Sequence, residues 1–428
     1  MDEKLSLFLD KNIFEETLNH SMEKGISKDI IGQLCNPINR YYIAEKIYNN
    51  EWKIAPPYIA EIPKDNGGIR KVYVNQPLDR IVLTQINHVY QKLYSDLIHP
   101  NCVSYQKGIG VKNIVDDICR AIQKNDTNII GYKVDISKYF DSVNRQTLNA
   151  ALDLIDTGSS IDILIRDYYN EDLILDENKK LVEKYKSITQ GCAVSTFLAN
   201  IILRDIDEVL SRLNIIYYRY SDDILMIGED SDKGLEILEN MLIEKGLKLN
   251  PKKIEPIKKN SWFTFLGIRI NFDHKSLSKK SLKKFQRKIV ELTKDLKPHN
   301  KAEMQRGIHR INKYLYTDYL KSSKNFGWGE YFFSILNIEN DIKILDEYIK
   351  DSLRAVYTGK KKLGGLGVSN IYDKGILRGT GKNVSSNYRK TKNNEDLLEE
   401  LGYVSMVHLF KLFHFNTSLY RTYLYKLV

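Results

Sequence analysis

The sequence predicts an α+β fold in which an antiparallel sheet carries helices on one face, with helical segments before and after it. Three observations predict it. Between residues 129 and 273, short apolar runs rich in β-branched and aromatic residues alternate with helical stretches. Outside that span, apolar residues recur at helical spacing, at Leu5, Phe8, Leu9 and Phe14 and again at Leu282, Phe285, Ile289, Leu292 and Leu296. The chain has 428 residues, 42% hydrophobic and 28% charged, enough for two or three packed subdomains of ordinary globular composition.

In chain order, residues 1 to 58 read as helical and lead into an extended segment over Trp52–Ile62. A short hairpin around Gly67-Gly68 follows, because paired glycines punctuate a turn, and then helices over Ile81–Ile98 and Val111–Ile122. Ile129 to Val134 reads as a buried strand that delivers Asp135 before a helical stretch, Ser137 to Ile155. Helices are expected again over Leu282–Leu296 and Ile335–Tyr357. Seven glycines between Gly359 and Gly381 read as an irregular linker, and Leu397–Leu427 as one or two amphipathic helices.

The chemistry concentrates at Tyr220-Ser221-Asp222-Asp223, between the strand-forming runs Ile215–Tyr218 and Ile224–Ile227. This reads as a β-hairpin with two adjacent carboxylates on its tip. Neighbouring Asp side chains repel unless a cation lies between them, although the pair alone is equally a surface turn. Asp135, at the end of its own strand, supplies a third carboxylate in a matching context. Three Asp on adjacent strand ends are a ligand set for two Mg²⁺ ions, about 3.5–4 Å apart, that clamp the attacking and leaving oxygens of a phosphoryl transfer. Mg²⁺ keeps one or two protein carboxylates plus substrate phosphates, so such a site is complete only with a nucleotide bound.

Charge is unevenly spread. Lys275–Lys301 nets +8 and Lys360–Lys392 another +8, leaving −6 for the rest of a chain whose total is +10. Two basic segments on a mildly acidic body are the footprint of nucleic-acid backbone binding, set against the plainer reading of a solvated lysine-rich helix face. No apolar stretch approaches the roughly 20 residues of a membrane span, and Met1-Asp2-Glu3-Lys4 lacks the basic segment and apolar core of a signal peptide, so the expected location is the cytoplasm. Cys35, Cys102, Cys119 and Cys192 are irregularly spaced with no CxxC pair and read as reduced thiols.

From Ile62 to Gly267, about half of the chain, the motifs resemble those of the reverse transcriptases, in that family's order. Ile62-Pro63-Lys64, Gly67-Gly68-Ile69-Arg70 and Leu78-Asp79-Arg80-Ile81-Val82 are similar to fingers motifs of the bacterial enzymes. Asp135-Ile136-Ser137-Lys138-Tyr139-Phe140-Asp141 resembles the first palm motif, Gln190-Gly191-Cys192-Ala193-Val194-Ser195 with Leu198-Ala199-Asn200 the second, and Tyr220 to Asp223 the YxDD box. Leu249-Asn250-Pro251-Lys252-Lys253 is similar to the motif carrying a late-palm lysine, and Phe265-Leu266-Gly267 to the primer-grip hairpin. Bacterial relatives often have Pro at the positions of Ala193 and Thr196, a departure that removes no chemical group.

The resemblance implies a right-hand polymerase architecture: fingers over 1–128, palm over 129–273, helical thumb over 274–358, and a basic linker with a C-terminal helical extension over 359–428. It implies that Asp135 and Asp222 ligate two Mg²⁺ ions, for which Mn²⁺ can substitute, with the Ile136 carbonyl as a backbone ligand and Asp223 as a neighbouring or transient one. Lys253, or Lys252 beside it, becomes the acid that protonates pyrophosphate. Lys64 and Arg70 hold the triphosphate, with Lys64 equally a solvated turn lysine. Gln190, Gly191 and Tyr220 line the nucleotide site, Gly191 by letting backbone approach the templating base. Phe140, five residues after Asp135, falls at the steric gate that collides with a ribose 2′-OH, so the expected product is DNA; ordinary core packing is the alternative. Arg80, Lys279, Lys280, Lys283, Lys284, Arg287, Lys360, Lys361 and Lys362 are the expected contacts to an RNA template and RNA/DNA duplex.

Within that family, the compact length and the absence of maturase, endonuclease, RNase H or integrase regions resemble the defence-associated, unknown-group and Abi-like bacterial enzymes. Single-protein systems of the type 2 kind, which copy an adjacent structured non-coding RNA into cDNA from dNTPs, are the most similar in size. A retron-like or intron-derived enzyme, an RNA-dependent RNA polymerase and a non-catalytic RNA-binding scaffold are the other readings.

Overall fold

The computed structural model describes residues 2–63, 68–106, 108–124, 131–258, 260–316, 327–359, 397–416 and 418–421. Its packing divides the chain into two units, residues 1–109 with 127–259 and residues 110–126 with 260–428. These cut the chain differently from the four expected segments: helix Val111–Lys124 packs on the second unit's sheet, and the first unit ends at residue 259 rather than 273.

The first unit opens with helices Glu3–Phe8, Lys11–Glu23, Lys28–Cys35 and Pro37–Tyr48. Asp2, Asp10, Ser27 and Asn36 start them, each side chain accepting from a backbone N–H of the first turn. Its strands are β1 (Tyr58–Pro63), β2 (Ile69–Val74), β3 (Gly131–Asp135), β4 (Leu173–Leu175), β5 (Leu181–Glu183), β6 (Ile215–Tyr220), β7 (Asp223–Gly228) and β8 (Glu255–Ile257). One sheet runs β2-β1-β4-β5 and the other β6-β7-β3-β8, the latter antiparallel throughout. β1 and β2 form the expected hairpin, with Lys64 and Gly67 of its turn outside the described residues.

Helix Ala193–Ile201 is almost wholly buried and helix Ser231–Glu244 packs on β3 and β7. The helix expected over Ser137–Ile155 is two helices, Tyr139–Ser142 and Arg145–Asp153. Asn144 breaks it: its side chain accepts from Thr147 N at 2.8 Å and so starts a new helix. The helix expected from Ile81 begins at Pro77, which needs no N–H partner in a first turn, and ends at Leu93.

In the second unit, β9 (Phe263–Phe265), β10 (Ile268–Asn271) and β11 (His274–Leu277) make an antiparallel sheet, followed by helices Lys279–Thr293, Lys301–Tyr316, Trp328–Phe333, Glu339–Thr358 and Met406–Phe415. Leu282, Phe285 and Ile289 face a core shared with Ile308, Ile349 and Phe410. Lys279, Lys280, Lys283, Lys284 and Arg287 stay exposed on the same helix, as its periodicity predicts. No described helix is long and apolar enough to cross a membrane.

The N-terminal helix is fastened by a buried ion pair. Lys4 Nζ lies 2.5 and 2.6 Å from the two carboxylate oxygens of Asp162 and 2.6 Å from Ile155 O, with both side chains almost fully buried. Burial works to raise the Asp162 carboxyl, but the bonds from Lys4, Thr157 and Ser159 outweigh it and hold it below the ordinary range. Its contribution to stability is therefore present above the ordinary carboxylate pKa and lost as pH falls through the lowered one.

Lys4→Met should cost about 3–5 kcal/mol by leaving Asp162 buried without its cation. Urea unfolding at neutral pH checks this, with the difference from wild type shrinking as Asp162 protonates in acid. An unchanged midpoint at neutral pH contradicts it.

Candidate active site

The register of the β6-β7-β3-β8 sheet builds the site. Tyr220 pairs with Asp223 across a two-residue turn, Ser221-Asp222, in which Ser221 takes φ 57°. Asp223 is thus the first residue of β7, so the tip holds one carboxylate rather than the expected two. Asp135 ends β3 opposite Asp223, and Ile136 N donates to Asp222 O at 3.1 Å. Three carboxylates share one end of two adjacent strands for reasons of backbone pairing alone.

The segment after Leu247 crosses the same edge. Ser137 N donates to Lys248 O and Asn250 N to Asp135 O, at 2.9 and 2.8 Å. The Asn250 side chain then accepts from Lys252 N at 3.2 Å and opens a turn, Pro251–Lys253. That turn carries Lys253 Nζ to 2.5 Å from Asp135 Oδ2. Lys133 Nζ, on β3, stands 4.0 Å from Asp223 Oδ1 and 3.5 Å from Glu255 Oε1.

Electrostatics follow from this crowding. Burial, then the charge of Asp135, pushes the Asp222 carboxyl up to about 6, and burial raises Asp223 as well. Burial alone lowers a lysine, but the Asp135 bond and the surrounding carboxylates outweigh it and raise Lys253, so it stays charged. Among the described residues no group of three His, Cys, Asp or Glu side chains converges on one ion position. Lys253 and Lys133 instead supply the positive charge. The donors nevertheless fit a hard divalent cation: all are oxygens, and an ion would relieve the repulsion that raises Asp222 and Asp223.

The nucleotide-site candidates are only partly gathered here. Phe140 is 8% exposed and packs edge-on against Tyr139, whose hydroxyl donates to Ala199 O at 2.8 Å. Gln190 O accepts from Tyr73 N at 2.7 Å, which fastens that loop to β2, the strand carrying exposed Arg70. Gly191 takes φ 115°, and a Cβ there would lie 2.4 Å from Tyr73 O. The backbone that requires this glycine is therefore that of β2. Arg80 lies partly exposed on helix Pro77–Leu93. Lys279, Lys280, Lys283, Lys284 and Arg287 belong to the second unit, while Lys64, Lys360, Lys361 and Lys362 lie outside the described residues.

Two features escape the sequence reading. Tyr105, at φ 57°, places its ring 5.8 Å from that of Tyr220. Burial raises its hydroxyl, which feels the charges of Asp222 and Arg70. Beneath the turn, Arg219 and Asp207 are fully buried and joined by bonds of 2.7 and 2.5 Å. One signal for this was present: Arg219 interrupts an otherwise apolar and aromatic strand.

Residues 62–270 match the reverse transcriptase (RNA-dependent DNA polymerase) family. Over 282 residues the chain is 25% identical to the retron Ec48 reverse transcriptase of Escherichia coli, covering 60% of this chain and 64% of that enzyme. Over 250 residues it is 26% identical to the COX1/OXI3 intron 2 protein of Saccharomyces cerevisiae, covering 56% of this chain and 27% of that protein. The matches thus span less than two thirds of either relative's length. Apo telomerase from Candida tropicalis superposes with a TM-score of 0.45 at 13% identity, over 87% of this chain and 69% of that one.

Gly191→Ala should destabilise the first unit by at least about 1–3 kcal/mol, because the new methyl meets Tyr73 O at a backbone angle that suits glycine. Denaturant unfolding of the variant checks this. Wild-type stability would show that the loop is not held against β2.

Proposed function

Because the chain carries a reverse transcriptase domain over residues 62–270, we propose that it is an RNA-directed DNA polymerase that copies a structured non-coding RNA into cDNA. The observation that carries this reading is the gathering of Asp135, Asp222 and Asp223 at one end of β3 and β7, with the Lys253 ammonium 2.5 Å from Asp135. A non-catalytic scaffold gains nothing from crowded like charges, which cost stability unless a cation is bound.

Asp135 and Asp222 would hold two Mg²⁺ ions, or Mn²⁺ in their place, with the Ile136 carbonyl as a backbone donor and Asp223 assisting. When bound, such ions polarise the attacking and leaving oxygens of a phosphoryl transfer. Lys253, kept charged by its carboxylate neighbours, gives its proton to the departing pyrophosphate. Arg70 and Lys64 bind the triphosphate, Arg70 through paired N–H groups that match phosphate geometry. Gln190, Gly191 and Tyr220 bound the base and sugar, and Phe140 excludes a 2′-OH. The cations of helix Lys279–Thr293 and of residues 360–362 bind the backbone of template and product.

A retron reverse transcriptase among the relatives, together with concentrated basic segments, supports an RNA template; a structured RNA and a role in antiphage defence in the cytoplasm belong to the same proposal. Phosphate contacts position an RNA without specifying it, so selectivity comes from the RNA's folded shape and exposed bases.

Primer extension on an RNA template tests the core of the reading. Wild type should incorporate dNTPs in preference to rNTPs in Mg²⁺, and Asp135→Asn and Asp222→Asn should each lose at least about 10²-fold in rate while keeping wild-type circular dichroism. Substantial Mg²⁺-dependent synthesis by both variants would sink the assignment.

A further inference from the structure

Arg219 is the largest side chain buried to 0% exposure, and its donors are divided between fold and site. Nε and Nη2 bind Asp207 Oδ1 and Oδ2 at 2.7 and 2.5 Å. Nη2 also donates to Asn200 O at 2.9 Å, and Nη1 to Ser221 O at 3.4 Å. Ser221 O is the carbonyl immediately before Asp222, in a turn held at φ 57°, where a non-glycine residue is strained.

The backbone of Arg219 is clamped as well, its N donating to Asn101 O and its O accepting from Val103 N, both at 2.9 Å. Asn200 is pinned in turn, donating to Ser104 O at 2.8 Å and accepting from Ser104 Oγ at 2.6 Å. Tyr217 OH donates to Asp207 Oδ1 at 2.6 Å. The guanidinium thus joins helix Ala193–Ile201 and helix Arg204–Leu210 to one carbonyl of the carboxylate turn, while the Arg219 backbone holds the 101–104 segment.

We propose that Arg219, oriented by Asp207, is a positioning residue that fixes where the Asp222 carboxylate stands. Its charge is neutralised by Asp207. It acts through geometry. A planar fork can serve Asp207, Asn200 and Ser221 at once, whereas an ammonium is a point donor on a flexible stem. This rests on the reading of Asp222 as a metal-binding carboxylate.

Two variants separate positioning from mere stability. Arg219→Lys keeps a cation for Asp207 and loses the fork. Arg219→Met with Asp207→Leu and Tyr217→Phe removes the ion pair together with the hydroxyl it would orphan, and replacing a whole buried pair by apolar side chains is often neutral. Both should lower kcat for dNTP addition about 10- to 100-fold, since misplacement of a reacting group by about 1 Å costs that much. KM for dNTP should move less than about threefold. A second readout is Tb³⁺ luminescence titrated into apo protein, in which both variants should bind more weakly than wild type.

If kcat and Tb³⁺ affinity recover along with melting temperature in the triple variant, Arg219 is only structural and the proposal is overturned. If wild type binds Tb³⁺ in a way that Asp222→Asn abolishes, yet makes no DNA, the polymerase reading fails while positioning is still decided by the Tb³⁺ series. If wild type binds no Tb³⁺ at these carboxylates, both fall.

Discussion

Three carboxylates confined to one end of two paired strands repel one another, and the rest of the first unit answers that constraint. The pairing of Asp135 with Asp223 and the turn that presents Asp222 are set by backbone register, so the charges cannot separate without slipping a strand. Burial itself disfavours the charged form of Asp222 and Asp223, and the charge of Asp135 adds to it, which is why both sit above the ordinary carboxylate range. Lys253 and Lys133 offset the charge from either side without abolishing it. The proposed uptake of cations by this cluster, at the shared ends of β3 and β7, rests on that residual negative charge.

Local patterning made the strands and the Asp residues readable. Continuous apolar runs rich in β-branched and aromatic residues marked β6 and β7, and helical spacing marked the packed face of Lys279–Thr293. What patterning could not show are the particular side-chain bonds that set these elements, some local and some between residues far apart in the chain. Asn144 splits a helix because its side chain accepts from Thr147 N and starts a new first turn. The placement of Lys253 beside Asp135 depends on the turn that Asn250 caps. Gly191 was legible as a special position, but its reason, the carbonyl of Tyr73, lies more than a hundred residues upstream.

Burial of charge recurs as a means of fastening elements together. Lys4 joins the first helix to the carboxylate of Asp162, and Arg219 joins the carboxylate turn to Asp207. Such pairs add little net stability, because desolvation offsets attraction, but they penalise every arrangement in which one partner is left alone. On the proposed reading of Asp222 as a metal-binding carboxylate, its turn gains more from that specificity than from stability. The basic helix of the second unit follows the opposite logic, with apolar residues packed inward and lysines held in water where phosphate can reach them.

Thermal unfolding of the purified chain, with and without Mg²⁺, tests the central claim most directly, in wild type and in Asp222→Asn. If the crowded carboxylates are a cation site, Mg²⁺ should raise the wild-type Tm, because a ligand that binds only the folded state stabilises it by mass action. Asp222→Asn should melt higher than wild type in EDTA, since one repelling charge is gone, and should gain little or nothing from Mg²⁺. A variant that melts lower than wild type in EDTA, or that gains as much from Mg²⁺, would contradict the account.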